Sequence, residues 1–180
     1  MKPNKFSLFP LKDPKTLALL AVLSALAVAG RILFVFIPNV QPVTSLVIML
    51  TLVAGLRFGA LFATLTLMLS NLILGMGFWT IGQILGFLVI VLLTGFFIRP
   101  FQNKLPLVWL ALFSGFCGFV YGFIQALFIA PLYGFSYFWA YYLAGLSFDA
   151  LHAIGNIAFY LVLAPILLPL LRRLFREYTC

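Results

Sequence analysis

Six long apolar segments follow one another along this chain, and they constrain its fold more than any other feature. We place them at residues 15–37, 43–56, 59–75, 80–98, 106–130 and 140–171. A helix needs about 20 mostly apolar residues to span a bilayer, and only the second segment is short for this. Hydrophobic residues make up 65% of the chain and charged residues 8%, which no soluble domain of this size can accommodate. The sequence therefore predicts an all-α integral membrane protein, a bundle of six transmembrane helices forming a single membrane-embedded domain over residues 1–180.

Basic residues fall on one side of the membrane if the chain crosses it six times. All but one of the Lys and Arg residues lie on that side: Lys2, Lys5, Lys12, Lys15, Arg57, Arg99, Lys104, Arg172, Arg173 and Arg176. Cytoplasmic segments carry an excess of Lys and Arg, so the N and C termini are predicted to be cytoplasmic. Because these residues are scattered between apolar runs rather than pooled in a patch, we expect no nucleic-acid partner.

The first apolar segment has some features of a signal peptide, because it follows a basic start and contains Ala27-Val28-Ala29. Its apolar run continues past Arg31 to Ile37, longer than the apolar core of a signal peptide. We therefore expect a transmembrane helix here rather than a cleaved signal.

The sequence contains no motif for a metal, a cofactor or ATP. Cys117 lies within an apolar segment and Cys180 is the last residue, so neither has the spacing of a metal ligand pair. The GxxxxGK[ST] phosphate loop is missing, so we expect no ATPase site in this chain.

Polar side chains within the predicted spans converge on one depth, in the half of the membrane opposite the basic residues. Arg31 lies roughly 22 Å along the first helix, at 1.5 Å per residue. Between that outer end and the middle of the membrane we also place Asn39, Gln41, Trp79, Gln83, Tyr121, Gln125, Asp149, His152 and Asn156. Polar groups within a span are costly and commonly mark function. The sequence predicts that Arg31 and this set form a substrate-binding cavity open to the outside.

One face of the last helix carries Asp149, His152 and Asn156 within about 60° of each other. A carboxylate, an imidazole and an amide on one face suit contact with a ligand. They also suit a packing network, in which Asp149 pairs with Arg31 and the other two bond to neighbouring helices. Arg31 itself could either contact the ligand or snorkel towards the outer surface.

Ala18, Ala21, Ala25 and Ala29 form a stripe within about 80° on the first helix, and Arg31 points some 120° away from it. Small residues let another helix approach closely. The alanine stripe is therefore a candidate docking surface for a partner protein. The alternative is packing inside the same bundle, which the spacing alone favours.

The outer connections are rich in aromatic residues, among them Trp79 and Trp139. Aromatic belts at the membrane interface are ordinary and account for most of them. These two tryptophans could also close over a ligand as lids.

Four segments have a recognisable order along the chain. They are AVLSALAVA in the first helix, IPNVQPVTSLVI in the first outer connection, SNLILGMGFWTIGQILGF around the second outer connection, and FDALHAIGNIAFYLVLAP in the last helix. Together they resemble the substrate-binding S components of energy-coupling factor (ECF) vitamin transporters, and the last three resemble the cobalamin-type branch most. The resemblance covers nearly the whole chain, since length, helix number and the sidedness of the termini also match.

This resemblance implies a vitamin bound near the outer surface by the polar set above, with cobalamin as the best guess and pantothenate or another small vitamin as the alternative. It implies docking through the alanine stripe onto a membrane coupling subunit, which two cytoplasmic ATPase subunits hold. It also implies a multi-pass location in the cell membrane of a bacterium, and a transport subunit rather than an enzyme.

Two other classes of function compete with this one. An intramembrane enzyme could use Asp149 and His152 as an acid/base pair, but the chain has a single histidine and no nucleophile motif. A purely structural membrane subunit would leave the outward polar cavity without a purpose.

Overall fold

A computed structural model describes residues 13–177, and this part of the chain folds into six α-helices with no strand. The helices are α1 (Pro14–Leu33), α2 (Val43–Ala54), α3 (Leu56–Leu74), α4 (Trp79–Leu93), α5 (Leu107–Tyr133) and α6 (Phe138–Glu177). The predicted all-α membrane fold is confirmed. Of the residues used above, Lys2, Lys5, Lys12 and Cys180 lie outside the described range.

Five of the six helices are long and apolar enough to cross a membrane, counting the turns that extend α4 to Phe101. The exception is α2, whose 12 residues are about 18 Å long against a hydrocarbon core of about 30 Å. Nearly all of its residues are buried, so it is the central helix of the bundle and has little contact with lipid. A helix enclosed by its neighbours can be shorter than the bilayer is thick, because the longer helices around it separate its ends from lipid.

Several predicted helix ends were wrong by a few residues. The first helix was expected to reach Ile37, but α1 ends at Leu33 and a series of turns leads to Pro38, since a residue before proline disfavours the helical conformation. The fifth helix continues through Pro131 until Gly134, whose φ of +91° ends it. The last helix extends beyond residues 140–171 at both ends despite two internal prolines, which membrane helices tolerate.

Contacts between helix ends establish that the helices alternate in direction. At one end, Arg99 Nε donates a 3.2 Å hydrogen bond to the Leu52 carbonyl, and the rings of Phe58 and Phe175 meet edge to face at 5.1 Å. We call this the basic end, because the described basic residues other than Arg31 lie here, at helix ends or in the connection before α5: Lys15, Arg57, Arg99, Lys104, Arg172, Arg173 and Arg176. The opposite end, where α1 and α3 finish, is called the cavity end.

The α5–α6 contact depends on a glycine. A Cβ added to Gly118 would lie 2.8 Å from the Ala153 nitrogen and 3.0 Å from its Cα. Because the obstruction is backbone rather than a flexible side chain, the two helices would have to move apart. We expect Gly118→Ala to lower the free energy of unfolding by roughly 1–3 kcal/mol.

The measurement for Gly118→Ala is thermal unfolding in detergent, with Gly145→Ala as the matched control. A Cβ on Gly145 meets nothing within 4 Å, so this variant should keep or raise the melting temperature, as alanine favours a helix. Equal melting temperatures for the two variants would contradict the predicted tight contact.

Candidate functional site

A polar cavity of about 260 Å³ lies at the cavity end of the bundle. Its wall is formed by the end of α1, the connection 34–42, and parts of α3, α4 and α5. Five predicted site residues line it together: Arg31, Asn39, Gln41, Gln83 and Tyr121. The apolar part of the wall consists of Phe34, Val35, Ile37, Val40 and Leu74. The structure thus brings half of the predicted substrate site into one cavity.

Arg31 is held in this cavity by hydrogen bonds to α3 and does not extend freely towards the surface. Its Nη1 donates to Ser70 Oγ at 2.6 Å and to Asn71 Oδ1 at 2.9 Å. Both bonds use the same nitrogen, and within residues 13–177 the Nε and Nη2 groups have no hydrogen-bond partner. A guanidinium has five N–H donors. One edge of it is therefore left for a ligand.

Asn71 connects this arginine to α4. Its Nδ2 donates to Thr80 Oγ1 at 2.9 Å and to Gln83 Oε1 at 2.7 Å, and the residue is 2% exposed. Since the Gln83 oxygen is used in this way, its Nε2 is left as a donor beside the Tyr121 hydroxyl. The chain of bonds fixes the orientation of each polar group that faces the cavity.

Ser70, Asn71 and Thr80 were not among the predicted site residues. What the sequence does indicate is their depth in the membrane, because the end of the third helix and the start of the fourth must lie level with Arg31. That signal places residues at the same height but does not say which of them touch the arginine.

The connection between α1 and α2 is fixed onto α6 by Asn39. This residue has a φ of +60°, which asparagine tolerates better than most residues, and its Nδ2 donates to the Phe148 carbonyl at 3.0 Å. Gln41, two residues farther along the connection, is 8% exposed and lines the cavity. The rim of the cavity is thus anchored to the last helix.

A second concave surface, the aromatic groove, lies one helical turn farther out and has a volume of about 640 Å³. It is lined by Trp79, Gln125, Ile129, Ala130, Tyr133, Tyr137, Ala140 and Tyr141. Gln125 Nε2 donates to the Trp79 carbonyl at 3.3 Å. Trp79 precedes the cavity residue Gln83 by four positions on α4, and Gln125 follows the cavity residue Tyr121 by four positions on α5. The aromatic groove and the cavity therefore lie one above the other along these two helices.

Trp139 is not part of the groove lining. Its ring packs edge to face on Phe138 with centroids 5.1 Å apart, and the side chain is 64% exposed. This placement suits a residue at the membrane interface.

Asp149 lies against Gly122 of α5, where an added Cβ would overlap its carboxylate. In the part of the chain that the structure describes, it forms no ion pair with Arg31, so the suggested Asp149–Arg31 pair is wrong. Spacing placed the two at a similar depth, but Arg31 turns to α3 and Asp149 to α5. Asp149 is 6% exposed and is not among the residues that line the cavity or the aromatic groove.

His152 and Asn156 are fully buried between α6 and its neighbours. His152 Nε2 and Thr44 Oγ1 are 2.8 Å apart, and Asn156 Nδ2 donates to the Ser114 carbonyl at 3.1 Å. The His152 ring also meets that of Tyr121 edge to face at 5.2 Å. His152 therefore contacts the cavity residue Tyr121, Asn156 contacts Ser114 of α5, and neither lines the cavity directly.

The alanine stripe lies on the outside of the bundle. All four of its members are exposed, whereas the buried face of α1 carries Thr16, Leu20, Ser24, Ala27 and Val28. The two faces are roughly opposite on the helix. The stripe therefore does not pack inside the bundle, the alternative that spacing alone had favoured.

A bundle of apolar helices with a polar cavity at one membrane face defines a multi-pass membrane protein built to bind a solute. The family model of the ECF transporter substrate-specific component matches residues 15–164, and the chain belongs to this family. It is a substrate-specific subunit of a membrane transporter, and the family resemblance found in the sequence is confirmed. No curated protein and no solved structure gives a significant match.

Proposed function

We propose that this S component captures a small vitamin that carries a carboxylate, and that pantothenate is the leading candidate. The observation that carries this proposal is the free edge of the Arg31 guanidinium in the polar cavity. The carboxylate would bind this edge, while the rest of the molecule lies along Gln41, Gln83 and Tyr121.

An arginine at this position has an electrostatic reason to bind an anion. A charge within a membrane span is costly, and in the described part of the chain its hydrogen-bond partners Ser70 and Asn71 are both neutral. A planar guanidinium matches a carboxylate through two parallel hydrogen bonds. Anion binding would thus compensate the charge and orient the ligand at once.

The size and chemistry of the cavity favour a small, amide-containing molecule. Its volume of about 260 Å³ is just below the range of roughly 300–1,000 Å³ that holds drug-sized ligands. Gln41 and Gln83 supply amide groups and Tyr121 a hydroxyl, each able to donate and accept. Pantothenate combines one carboxylate with an amide and hydroxyls, so it offers partners to all of them.

Cobalamin, which the sequence resemblance favours, is the second candidate. The observation that supports it is the aromatic groove of about 640 Å³ directly above the cavity. A corrinoid would need both concave surfaces, with Trp79 closing over it and its amide groups facing Gln125 and the cavity. A small acid would need the cavity alone.

The proposal includes partners for transport. The substrate-specific subunit would dock through the alanine stripe onto a membrane coupling subunit, and two cytoplasmic ATPases would supply the energy from ATP. The cavity end would face the outside of a bacterial cell and the basic end the cytoplasm, as the distribution of Lys and Arg predicts.

The geometry gives less support to an intramembrane enzyme that uses Asp149 and His152. The imidazole is 0% exposed and is bonded to Thr44, and neither residue lines the cavity. A general base must come within hydrogen-bonding reach of the proton that it removes.

The test is a binding panel on the protein purified in detergent or nanodiscs, after mass spectrometry of any small molecule that co-purifies. Pantothenate should bind, and its alcohol analogue, with –CH2OH in place of the carboxylate, should bind roughly 10- to 100-fold more weakly. Binding of cobalamin without binding of pantothenate would replace the first candidate by the second. Chemical conversion of the ligand would contradict the binding function altogether.

A further inference from the structure

An apolar groove, here called the lateral groove, runs down the side of the bundle between α1 and α6. It has a volume of about 280 Å³. Its floor is formed by α2 and α3, with Leu50 and Phe62 almost fully buried. Its walls are Leu23 and Leu26 of α1 and a row of residues on α6: Phe159, Leu163, Leu167 and Leu171. Every lining side chain is apolar, so the groove faces the hydrocarbon of the membrane.

The length of the lateral groove matches one leaflet. The row on α6 from Phe159 to Leu171 spans twelve residues, or about 18 Å. Half of the hydrocarbon core is about 15 Å thick. At the end nearer the substrate cavity, Phe34 and Phe159 meet edge to face at 5.0 Å and mark the limit of the groove. The groove is therefore suited to an acyl chain that reaches from the basic end to the middle of the bilayer.

Beyond the groove lining, towards the basic end, α1 and α6 each carry an exposed cation. Arg172 is exposed and follows the groove residue Leu171 on α6. Lys15 is exposed at the start of α1 and lies within about 20° of Leu26 around that helix. The carboxylate of Asp13 lies nearby and accepts the backbone N–H of Lys15. Two cations at this depth attract an anionic headgroup.

We propose that the lateral groove binds one anionic phospholipid from the leaflet at the basic end. One acyl chain would lie between α1 and α6, and the phosphate would lie between Lys15 and Arg172. This ligand agrees with the apolar lining, the one-leaflet length and the two cations. The bound chain would fill the space that α1 and α6 leave between them and so support the position of α1.

The experiment measures lipid retained by the protein after extraction from nanodiscs that contain equal amounts of phosphatidylglycerol and phosphatidylcholine. Native mass spectrometry should find one phosphatidylglycerol per protein. Leu163→Trp fills the groove and should reduce this retention at least about fivefold. Val162→Trp is the matched control, because Val162 is the preceding residue, is 65% exposed and lies outside the groove. Equal retention by the two variants overturns the proposal.

Two further variants separate the chain from the headgroup and guard against misfolding. Arg172→Gln should still retain a lipid but lose preference for phosphatidylglycerol by about fivefold, the effect expected of one cation near the surface. Leu167→Trp, one turn along the groove, is measured in parallel with Leu163→Trp, and a thermal melting curve reports whether each variant is folded. If either groove variant folds, retains lipid normally and instead loses the coupling subunit, the groove is a protein-docking surface and the lipid proposal is wrong.

Discussion

Replacing Arg31 by glutamine is expected to weaken binding of the carboxylate substrate by about 100-fold or more. The free edge of the guanidinium offers two charge-assisted hydrogen bonds, each contributing about 1.5–3 kcal/mol. Glutamine keeps one donor nitrogen but has neither the charge nor the planar fork of the guanidinium. The measurement is a titration of pantothenate into the purified protein, with a melting curve to show that the variant is folded.

Two control variants make the Arg31 result specific. Arg31→Lys keeps the charge but loses the fork, so it should bind more weakly than the native protein and more tightly than Arg31→Gln. Arg57→Gln removes an exposed cation at the basic end and should leave binding unchanged. If Arg31→Gln weakened pantothenate and its alcohol analogue by the same factor, the arginine would act by holding α3 and not by binding a carboxylate.

The level of several polar residues along the bundle could be predicted from the sequence. A membrane helix runs nearly straight across the bilayer, so a residue's number within its segment fixes its height. This explains why Arg31, Gln83 and Tyr121, from three different helices, line one cavity. The basic residues at the other end gave the direction of each helix by the same reasoning.

The direction in which each polar side chain points around its helix axis could not be predicted in the same way. Asp149 and Arg31 lie at similar depth, yet one contacts α5 and the other α3. Which helices become neighbours depends on packing of small residues such as Gly118 and Gly122, and a single sequence does not identify their partners. For the same reason the role of Asn71 was missed. Its level along the bundle could be predicted, but its hydrogen bond to Arg31 could not.

The lateral groove could not be predicted from the sequence, for a related reason. Each of its walls is an ordinary apolar face, indistinguishable from one that packs against protein. It exists because α1 packs on α3 and α6 on α5, with the short helix α2 between them. Apolar periodicity indicates that a face avoids water, but in a membrane both protein and lipid satisfy that requirement.

Substituting Ala25 by tryptophan is expected to weaken assembly with the coupling subunit strongly while leaving substrate binding intact. The four alanines of the stripe are exposed, and the buried face of α1 lies on the other side of the helix. A large ring there would hold an approaching helix away and weaken the complex by roughly 10- to 100-fold. Arg31 and its partners Ser70 and Asn71 would remain in place, because the substitution does not touch the α1–α3 contact.

Assembly and binding are measured side by side, by pull-down of the complex with the ATPase subunits and by titration of the isolated S component. Leu112→Trp is the matched control, since this exposed residue lies on α5, which packs against α4 and α6 and away from α1. Its complex should form normally, which separates docking from a general effect of a bulky side chain in the membrane. Normal assembly of Ala25→Trp would show that the coupling subunit uses another face. Loss of substrate binding by this variant would mean that the outer surface of α1 controls the cavity from a distance, which the separation of the stripe from Arg31 gives no reason to expect.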